Sequence, residues 1–267
     1  MLSKKNLLFV ACLSLFAGAS AFAEEAAPAS PVTANISLVS NYLYRGISQT
    51  GAKPALQGGF DYTHASGFYA GVWGSSISWI SDAYAQFNTP ATPTGATNAG
   101  LEIDTYFGFK NSFATDFSYD VGFLRYNYPG SYAAGAVKAD TDEVYGALGY
   151  KWLTAKYSYS LGKTFGVAGA SGTNYFDLSA NYPIADTGIT LGAHYGKQTF
   201  KGINAGAGIA ALSYSDYKLS VTKDFSGYAL GLAYSSTNAT KGAGAAYNVL
   251  GKDLGKGTAV LSLTHAF

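Results

Sequence analysis

Apolar residues recur at every second position along most of this chain. In residues 100–110, for example, Leu101, Ile103 and Phe107 fall on one face, whereas Glu102 falls on the other. Successive side chains of a β-strand point to opposite faces, so the pattern predicts strands rather than helices. The chain is 48% apolar, yet after residue 23 it has no apolar run of 18 or more residues. Such a composition suits a closed sheet that turns alternate side chains toward lipid.

Twelve strand-like segments can be counted, and their connections are alternately long and short. The first segment, residues 34–45, is followed by a polar break at residues 46–54, and the second ends in a tight turn at residues 64–67. A longer loop is expected at residues 80–99. An even strand number, with both chain ends on the side of the short turns, is typical of outer-membrane barrels. We therefore predict an all-β fold, an antiparallel transmembrane β-barrel of about 12 strands with short periplasmic turns and long extracellular loops.

The N-terminal segment has the pattern of a secretory signal peptide. A short basic stretch precedes the apolar residues 7–19, and a small-x-small pattern ends at Ala23. We predict that residues 1–23 form a cleaved signal peptide, that residues 24–33 form a short lead-in and that residues 34–267 form the barrel. The expected location is the cell outer membrane, reached through the periplasm, where lipid and lipopolysaccharide surround the protein.

Cysteine content and charge exclude several kinds of site. The single cysteine, Cys12, lies within the predicted signal peptide, where a lipoprotein signal is the alternative interpretation. The mature chain then has neither disulfides nor thiolate metal sites. Three scattered histidines make no zinc site, and we expect no metal and no cofactor. Removal of Lys4 and Lys5 changes the formal net charge from +1 to −1, which leaves no basic surface for nucleic acid.

The polar face of the predicted strands has charges of both signs. A Lys or Arg on the lipid face near the bilayer midplane would cost about 2–4 kcal/mol, so we assign this face to the lumen. The predicted pore-lining residues are Arg45, Asp61, Glu102, Asp104, Asp177 and Lys218. The same assignment places further charged residues in the lumen: Lys110, Asp120, Glu143, Lys151, Lys156, His194 and Asp216. Arg125 interrupts the alternation of residues 116–128 and is expected either at the headgroup boundary or beyond a bulge.

Three neighbouring stretches resemble a known family. Residues 40–50 read SNYLYRGISQT, residues 53–62 read KPALQGGFDY and residues 67–74 read GFYAGVWG. At this spacing they are similar to the opening of the TorF-type porins, which are Gcw_chp-like bacterial outer-membrane proteins. The resemblance covers the first part of the mature chain. It implies an outer-membrane barrel with a pore, but it implies neither a particular solute nor particular functional residues.

The last segment, residues 257–267, alternates through Leu261 and Leu263 and ends in Phe267. A terminal strand of this kind resembles the signal that outer-membrane proteins present to the barrel-assembly machinery, although His265 departs from the usual pattern. We therefore expect that machinery as a partner during biogenesis. Small hydrophilic solutes are the expected partners of the finished barrel, and its oligomeric state stays open.

Three functions are compatible with this pattern. The first, which we favour, is an outer-membrane channel for passive diffusion of small hydrophilic solutes or ions. The second is a closed barrel, filled by paired charges, whose long loops bind a ligand as an adhesin or receptor. The third is an outer-membrane lipid-modifying enzyme, for which His194 is the sole plausible base. The chain has no Gly-x-Ser-x-Gly nucleophile elbow, so we predict no enzyme activity and no catalytic residues.

Overall fold

The computed structural model describes residues 30–87, 97–134, 136–202 and 212–267. Within these ranges the elements are β1 Val32–Val39, β2 Leu43–Tyr44, β3 Ile47–Ser48, β4 Ala55–Thr63, β5 Phe68–Ser76, α1 Trp79–Phe87, β6 Leu101–Phe113, β7 Phe117–Asn127, β8 Thr141–Tyr150, β9 Leu153–Ser160, β10 Asn174–Ile184, β11 Ile189–Thr199, β12 Tyr214–Phe225, β13 Tyr228–Thr237, β14 Asn248–Val249, β15 Lys252–Asp253 and β16 Thr258–Ala266. The predicted signal peptide of residues 1–23, its cleavage after Ala23 and most of the lead-in of residues 24–33 lie outside the described residues. In the described part of the chain, no helix is long and apolar enough to cross a membrane.

Twelve of the strands form one closed antiparallel barrel, which confirms the predicted fold class. Each strand from β4 to β12 pairs with the next barrel strand in the chain, and β13 pairs with β16. The barrel is closed by β1, which pairs with β4 on one side and with β16 on the other. The long connections meet at one end, which we term the outer end. The short turns and the two ends of the barrel sequence lie at the inner end, as predicted.

The two faces of the barrel wall differ in chemistry, as the alternation predicts. On β6, Leu101, Phe107 and Phe109 are exposed on the outside, whereas Glu102 and Asp104 are buried on the inside. Large apolar side chains are exposed on the outside of every barrel strand. An apolar outer surface that surrounds the whole molecule is stable against hydrocarbon rather than against water, so the barrel is a transmembrane one.

Tyrosine and glycine pair across neighbouring strands inside the barrel. At Gly122, an added Cβ would lie 2.5 Å from Tyr145 Oη and 2.9 Å from the carbonyl oxygen of Phe107. The missing side chain therefore provides the room for the ring on the next strand. Similar close approaches place Tyr106 over Gly71, Tyr69 over Gly108 and Tyr175 over Gly196. These pairs account for part of the high content of glycine (33) and tyrosine (22) in the sequence.

Two of the long connections contain secondary structure that the sequence analysis does not predict. The loop expected at residues 80–99 begins with α1, and the last connection contains the hairpin β14–β15. The two meet at Gln86, whose Nε2 donates to the carbonyl oxygen of Asn248 (3.2 Å) and whose Oε1 accepts from the amide of Leu250 (2.5 Å). These bonds hold two connections together at the outer end.

Arg125 and Lys151, both considered in the sequence analysis, lie outside the lumen. Arg125 is on the outside of β7, 2.9 Å from Asp142, and the pairing of β7 with β8 is unbroken through this position. The alternative of a bulge is therefore wrong, and Arg125 lies near the outer end of its strand. The assignment of Lys151 to the lumen is also wrong. Because β8 ends at Tyr150, Lys151 lies in the exposed turn that follows, 3.8 Å from Asp116.

We expect Gly122→Ala to lower the free energy of unfolding by about 1–3 kcal/mol, because the new methyl group overpacks the Tyr145 ring. Gly146→Ala is the matched control, since Gly146 lies on the neighbouring strand and the nearest atom to an added Cβ, Val121 Cγ1, is 4.0 Å away. Denaturant unfolding of both variants, refolded into lipid vesicles, measures the difference. Equal stability of the two variants would contradict the overpacking argument.

Candidate functional site: a segment inserted into the lumen

The chain turns into the barrel where the first strand ends. The prediction of one strand through residues 34–45 is wrong, because β1 ends at Val39. Residues 40–54, which we name the inserted segment, contact the inside of the wall on β5, β6, β8, β10, β11 and β12. The polar break at residues 46–54 is therefore no surface loop; its central side chains are buried, as are Tyr42 and Ile47.

Arg45 and Gly46 form the tip of the inserted segment. They join β2 to β3 as a two-residue hairpin turn, with φ angles of 47° and 78°. A turn of this type requires positive φ at both positions, which is easy for glycine and costly for arginine. Gly46 also has no room for a side chain, because an added Cβ would lie 2.8 Å from Asp216 Cβ and 2.7 Å from Thr237 Cγ2. The tip is thus packed directly against the wall.

The guanidinium group of Arg45 is held by four side chains, which we name the guanidinium site. Its Nη2 donates to both carboxylate oxygens of Glu143, at 2.7 and 3.1 Å, and its Nη1 donates to Gln198 Oε1 at 2.8 Å. Its Cζ lies 4.3 Å from the ring centre of Tyr175 and 4.8 Å from that of Tyr44. The Arg45 and Glu143 side chains are only 7% and 2% exposed. The arrangement combines acceptors for both terminal guanidinium nitrogens with cation–π contacts, both of which suit a planar cation.

A second contact fixes the start of the inserted segment to β6. The hydroxyl of Tyr42 donates to Glu102 Oε1 at 2.5 Å, and the Tyr42 ring packs edge-on against Trp73. Glu102 and Asp104, two residues apart on β6, both face the lumen and are both 1% exposed. Among the residues that the structure describes, Asp104 Oδ1 is one of two buried side-chain atoms without a hydrogen-bond partner. The wall that faces the segment is therefore rich in carboxylates.

The inserted segment fills the outer half of the lumen. Lumen-facing residues near the outer end are buried on all twelve strands: Val39, Gln57, Ser75, Glu102, Tyr126, Glu143, Ser160, Asp177, Gln198, Asp216, Thr237 and Val260. Toward the inner end the lumen-facing charged residues are only partly buried: Asp61, Lys110, Asp120, Lys156 and Lys218. The barrel is closed on the side of the long connections and more open on the side of the short turns.

The six predicted pore-lining residues all face the barrel interior, although they reach it in two ways. Arg45 enters on the inserted segment rather than on a strand, and Glu102 and Asp104 face that segment from β6. Of the other three, Asp61 accepts a hydrogen bond from Tyr106 (2.6 Å), Asp177 contacts His194 (3.1 Å), and Lys218 is the cross-strand partner of His194. That these residues line a path for solutes stays a prediction.

His194 lies between two carboxylates, a feature that sequence reasoning misses. Its Nδ1 is 3.1 Å from Asp177 Oδ2 and its Nε2 is 2.9 Å from Asp216 Oδ1. Asp216 also accepts from the Tyr175 hydroxyl at 2.9 Å, so this cluster adjoins the guanidinium site. The sequence places all these residues on lumen faces, but only the strand register brings the acids on β10 and β12 to opposite sides of one histidine on β11.

Ser179 gives the His194 cluster a superficial likeness to a hydrolytic triad. Its Oγ is 3.1 Å from His194 Nδ1, and Asp216 contacts the opposite ring nitrogen. However, the Ser179 hydroxyl donates its one proton to Asp177 Oδ1 at 2.6 Å. A nucleophilic serine must instead direct that proton to the imidazole that removes it. As for metals, no group of three or more histidine, cysteine or acidic residues in the described ranges could hold an ion.

We expect Arg45→Ala to lower the free energy of unfolding by about 3–5 kcal/mol, because it leaves Glu143 buried without its counter-charge. Arg125→Ala is the matched control, since Arg125 also pairs with a carboxylate at 2.9 Å but is 42% exposed, and its loss should cost about 1 kcal/mol or less. Denaturant unfolding in lipid vesicles compares the two. Equal losses would show that burial adds nothing to the Arg45 pair.

Known proteins resemble this chain in fold more than in sequence. No curated protein matches it. The solved structure of the KdgM porin in complex with disordered oligogalacturonate is 7% identical, and the alignment covers 88% of this chain and 98% of that one, with a TM-score of 0.51. OprD from Pseudomonas aeruginosa is 14% identical over 89% of this chain and 66% of its own, with a TM-score of 0.37. LpxR from Salmonella typhimurium is 10% identical over 88% of this chain and 99% of its own, with a TM-score of 0.42.

The identities to solved structures are so low that the likeness to the KdgM porin shows the barrel fold alone. The family comparison goes further, since it rests on the sequence itself. A model described as a bacterial protein of unknown function, Gcw_chp, matches residues 23–267 and so spans the barrel from its first strand to its last. The chain belongs to the Gcw_chp family of bacterial proteins.

Proposed function

We propose that this protein is an outer-membrane channel of the TorF type for small hydrophilic solutes or ions, and that the inserted segment is its constriction. One observation supports this above the others: the outer half of the lumen is filled by a connection between two strands, not by the side chains of the wall. A small eight-stranded barrel fills its own interior, whereas a twelve-stranded one encloses more space. The chain enters the segment that occupies this space from β1, after Val39, and leaves it into β4, before Ala55.

The interior on the inner side of the segment has the chemistry of an aqueous path. Lys110 on β6, Asp120 on β7 and Lys156 on β9 are partly buried, with charges of both signs. Lys156 Nζ lies 3.7 Å from the centre of the Tyr145 ring, and the Tyr69 hydroxyl donates to Asp120 at 2.6 Å. Fixed charges at the edge of an open lumen favour hydrated ions and polar solutes over apolar ones.

A closed barrel that binds a ligand through its outer connections is the second candidate. It is favoured by the burial of lumen-facing residues near the outer end on all twelve strands. In that case the inserted segment is a permanent plug, and the outer loops carry the function as an adhesin or receptor. We do not propose an enzyme, because the serine beside His194 directs its proton to Asp177.

The biogenesis that we propose follows from the sequence. The signal peptide of residues 1–23 directs export, and the lead-in predicted at residues 24–33 precedes the barrel, whose first strand already begins at Val32. The last strand, β16, pairs with β1 and is followed by Phe267, whose side chain is exposed at the inner end. That position suits recognition by the barrel-assembly machinery from the periplasm, before the barrel reaches lipid and lipopolysaccharide.

Replacement of residues 43–48 by glycine and serine should raise the unitary conductance of the protein in planar lipid bilayers, because it removes the hairpin that fills the outer lumen. The wild-type protein should show small or brief conductance steps. Refolding is verified separately by comparing the gel mobility of heated and unheated samples. A folded wild-type protein that stays silent, beside a variant that conducts, would overturn the channel and favour the closed barrel.

Ion preference should follow the charges at the constriction. Arg45→Ala removes a cation and should shift the reversal potential in a salt gradient toward cation preference, whereas Asp104→Ala should shift it toward anions. Arg125→Ala changes a charge on the outer surface and should have little effect. Unchanged permeability ratios in both lumen variants would show that neither residue lines the path.

A further inference from the structure

We propose that the guanidinium site binds the guanidinium group of a transported organic cation, and that Arg45 occupies that site when the inserted segment closes the lumen. This inference rests on the proposed channel function and names the class of solute. Arg45 then acts as an internal substitute for the solute, and a guanidinium compound that enters the site competes with the inserted segment for it.

The wall supplies most of the site without help from the inserted segment. Glu143 on β8, Gln198 on β11 and Tyr175 on β10 stay in place if the segment moves, and only Tyr44 moves with Arg45. Glu143 provides acceptor oxygens for one guanidinium nitrogen, Gln198 provides an acceptor for a second nitrogen, and Tyr175 provides a ring face. These are the partners that distinguish a planar, fork-shaped cation from a compact ammonium ion.

Each of these wall residues is positioned by a further contact. Gln198 Nε2 donates to the carbonyl oxygen of Asn174 (3.2 Å), which turns its Oε1 toward the guanidinium group. The Tyr175 hydroxyl donates to Asp216 (2.9 Å). The Tyr126 hydroxyl lies 3.4 Å from Glu143 Oε2. A site whose members are oriented before the ligand arrives loses little entropy on binding.

The charge around the site also favours a cationic ligand. Glu102, Asp104 and Glu143 face the inserted segment from β6 and β8, and the tip of that segment brings one cation, Arg45, which pairs with Glu143. Asp104 is 1% exposed, and its Oδ1 has no hydrogen-bond partner among the described residues. A buried acceptor without a donor is unfavourable, and a cationic solute supplies donors and positive charge at this place.

The conformation of Arg45 makes its own occupancy easier to displace. Its φ of 47° is a left-handed conformation, which is unfavourable for a non-glycine residue. A free guanidinium compound binds to the same wall residues without that backbone cost. Competition between the two therefore depends on ligand concentration, as expected for a gate that opens when its solute is present.

The binding test uses the refolded Arg45→Ala protein in detergent micelles, with methylguanidinium as the probe and calorimetry as the measurement. Saturable binding is expected to Arg45→Ala, with weaker binding to the wild type, in which Arg45 fills the site. Adding Glu143→Gln to Arg45→Ala should weaken binding by roughly tenfold to a hundredfold, because a charge-assisted bidentate contact is lost. Arg125→Ala, which empties an exposed pair, should behave like the wild type.

Absence of saturable binding to folded Arg45→Ala, or binding that Glu143→Gln leaves unchanged, would overturn the proposal.

A second measurement uses the wild-type protein in planar bilayers, so the proposal does not depend on the folding of Arg45→Ala. L-Arginine added on the outer side should increase the open time, whereas L-citrulline, its neutral analogue of the same shape, should not. Equal responses to the two compounds would overturn the proposal.

If the bilayer is silent but methylguanidinium binds, the channel function fails and the site stands. If the protein conducts, but L-arginine and L-citrulline act alike and Glu143→Gln leaves methylguanidinium binding unchanged, the site fails and the channel stands.

Discussion

The pairing of β1 with both β4 and β16 is the constraint on which the rest of the structure depends. A backbone amide or carbonyl that faces hydrocarbon has no water to bond, so a sheet with free edges is unstable in a membrane. Closing the ladder at β1 removes both edges, and the hydroxyls of Ser37 and Thr264 bond across this junction at 2.8 Å inside the barrel. Closure also separates an apolar exterior from an interior whose polar groups must find hydrogen-bond and ion-pair partners inside the barrel. The inserted segment supplies such partners, for example to Glu102 and Glu143.

The buried pair of Arg45 and Glu143 indicates that the inserted segment serves more than stability. Two charges taken out of water lose so much hydration that a well-packed apolar substitute is often as stable or more so. The tip adds a left-handed arginine, which is a further cost, and Asp104 keeps an oxygen for which the described residues supply no donor. An apolar plug would avoid all three. These costs motivate the proposal that the guanidinium site exchanges Arg45 for a cationic solute.

The barrel could be predicted from the sequence because its strands follow one rule, apolar outside and polar inside, over about ten residues each. The same rule failed at residues 40–45. Tyr42 and Tyr44 continue the alternation of β1, but they do not belong to a strand of the wall. They lie in the lumen, where their rings pack against Trp73 and Tyr126. α1 was missed because nine residues within a polar connection carry little helical signal. The His194 cluster depends on the offset between three strands, and periodicity does not determine that offset.

The connection of β1 to the inserted segment has a consequence for the order of assembly. β1 can complete the barrel only by pairing with β16, which is made last; Ser37 and Thr264 are 227 positions apart in the chain. Contacts between such distant parts form late in folding. Residues 40–54 run directly from β1 to β4, so the pairings that close the wall also fix both ends of the inserted segment at the outer end. We therefore expect closure of the wall and occupation of the outer lumen to be coupled during assembly, so that an unplugged barrel is not a stable intermediate.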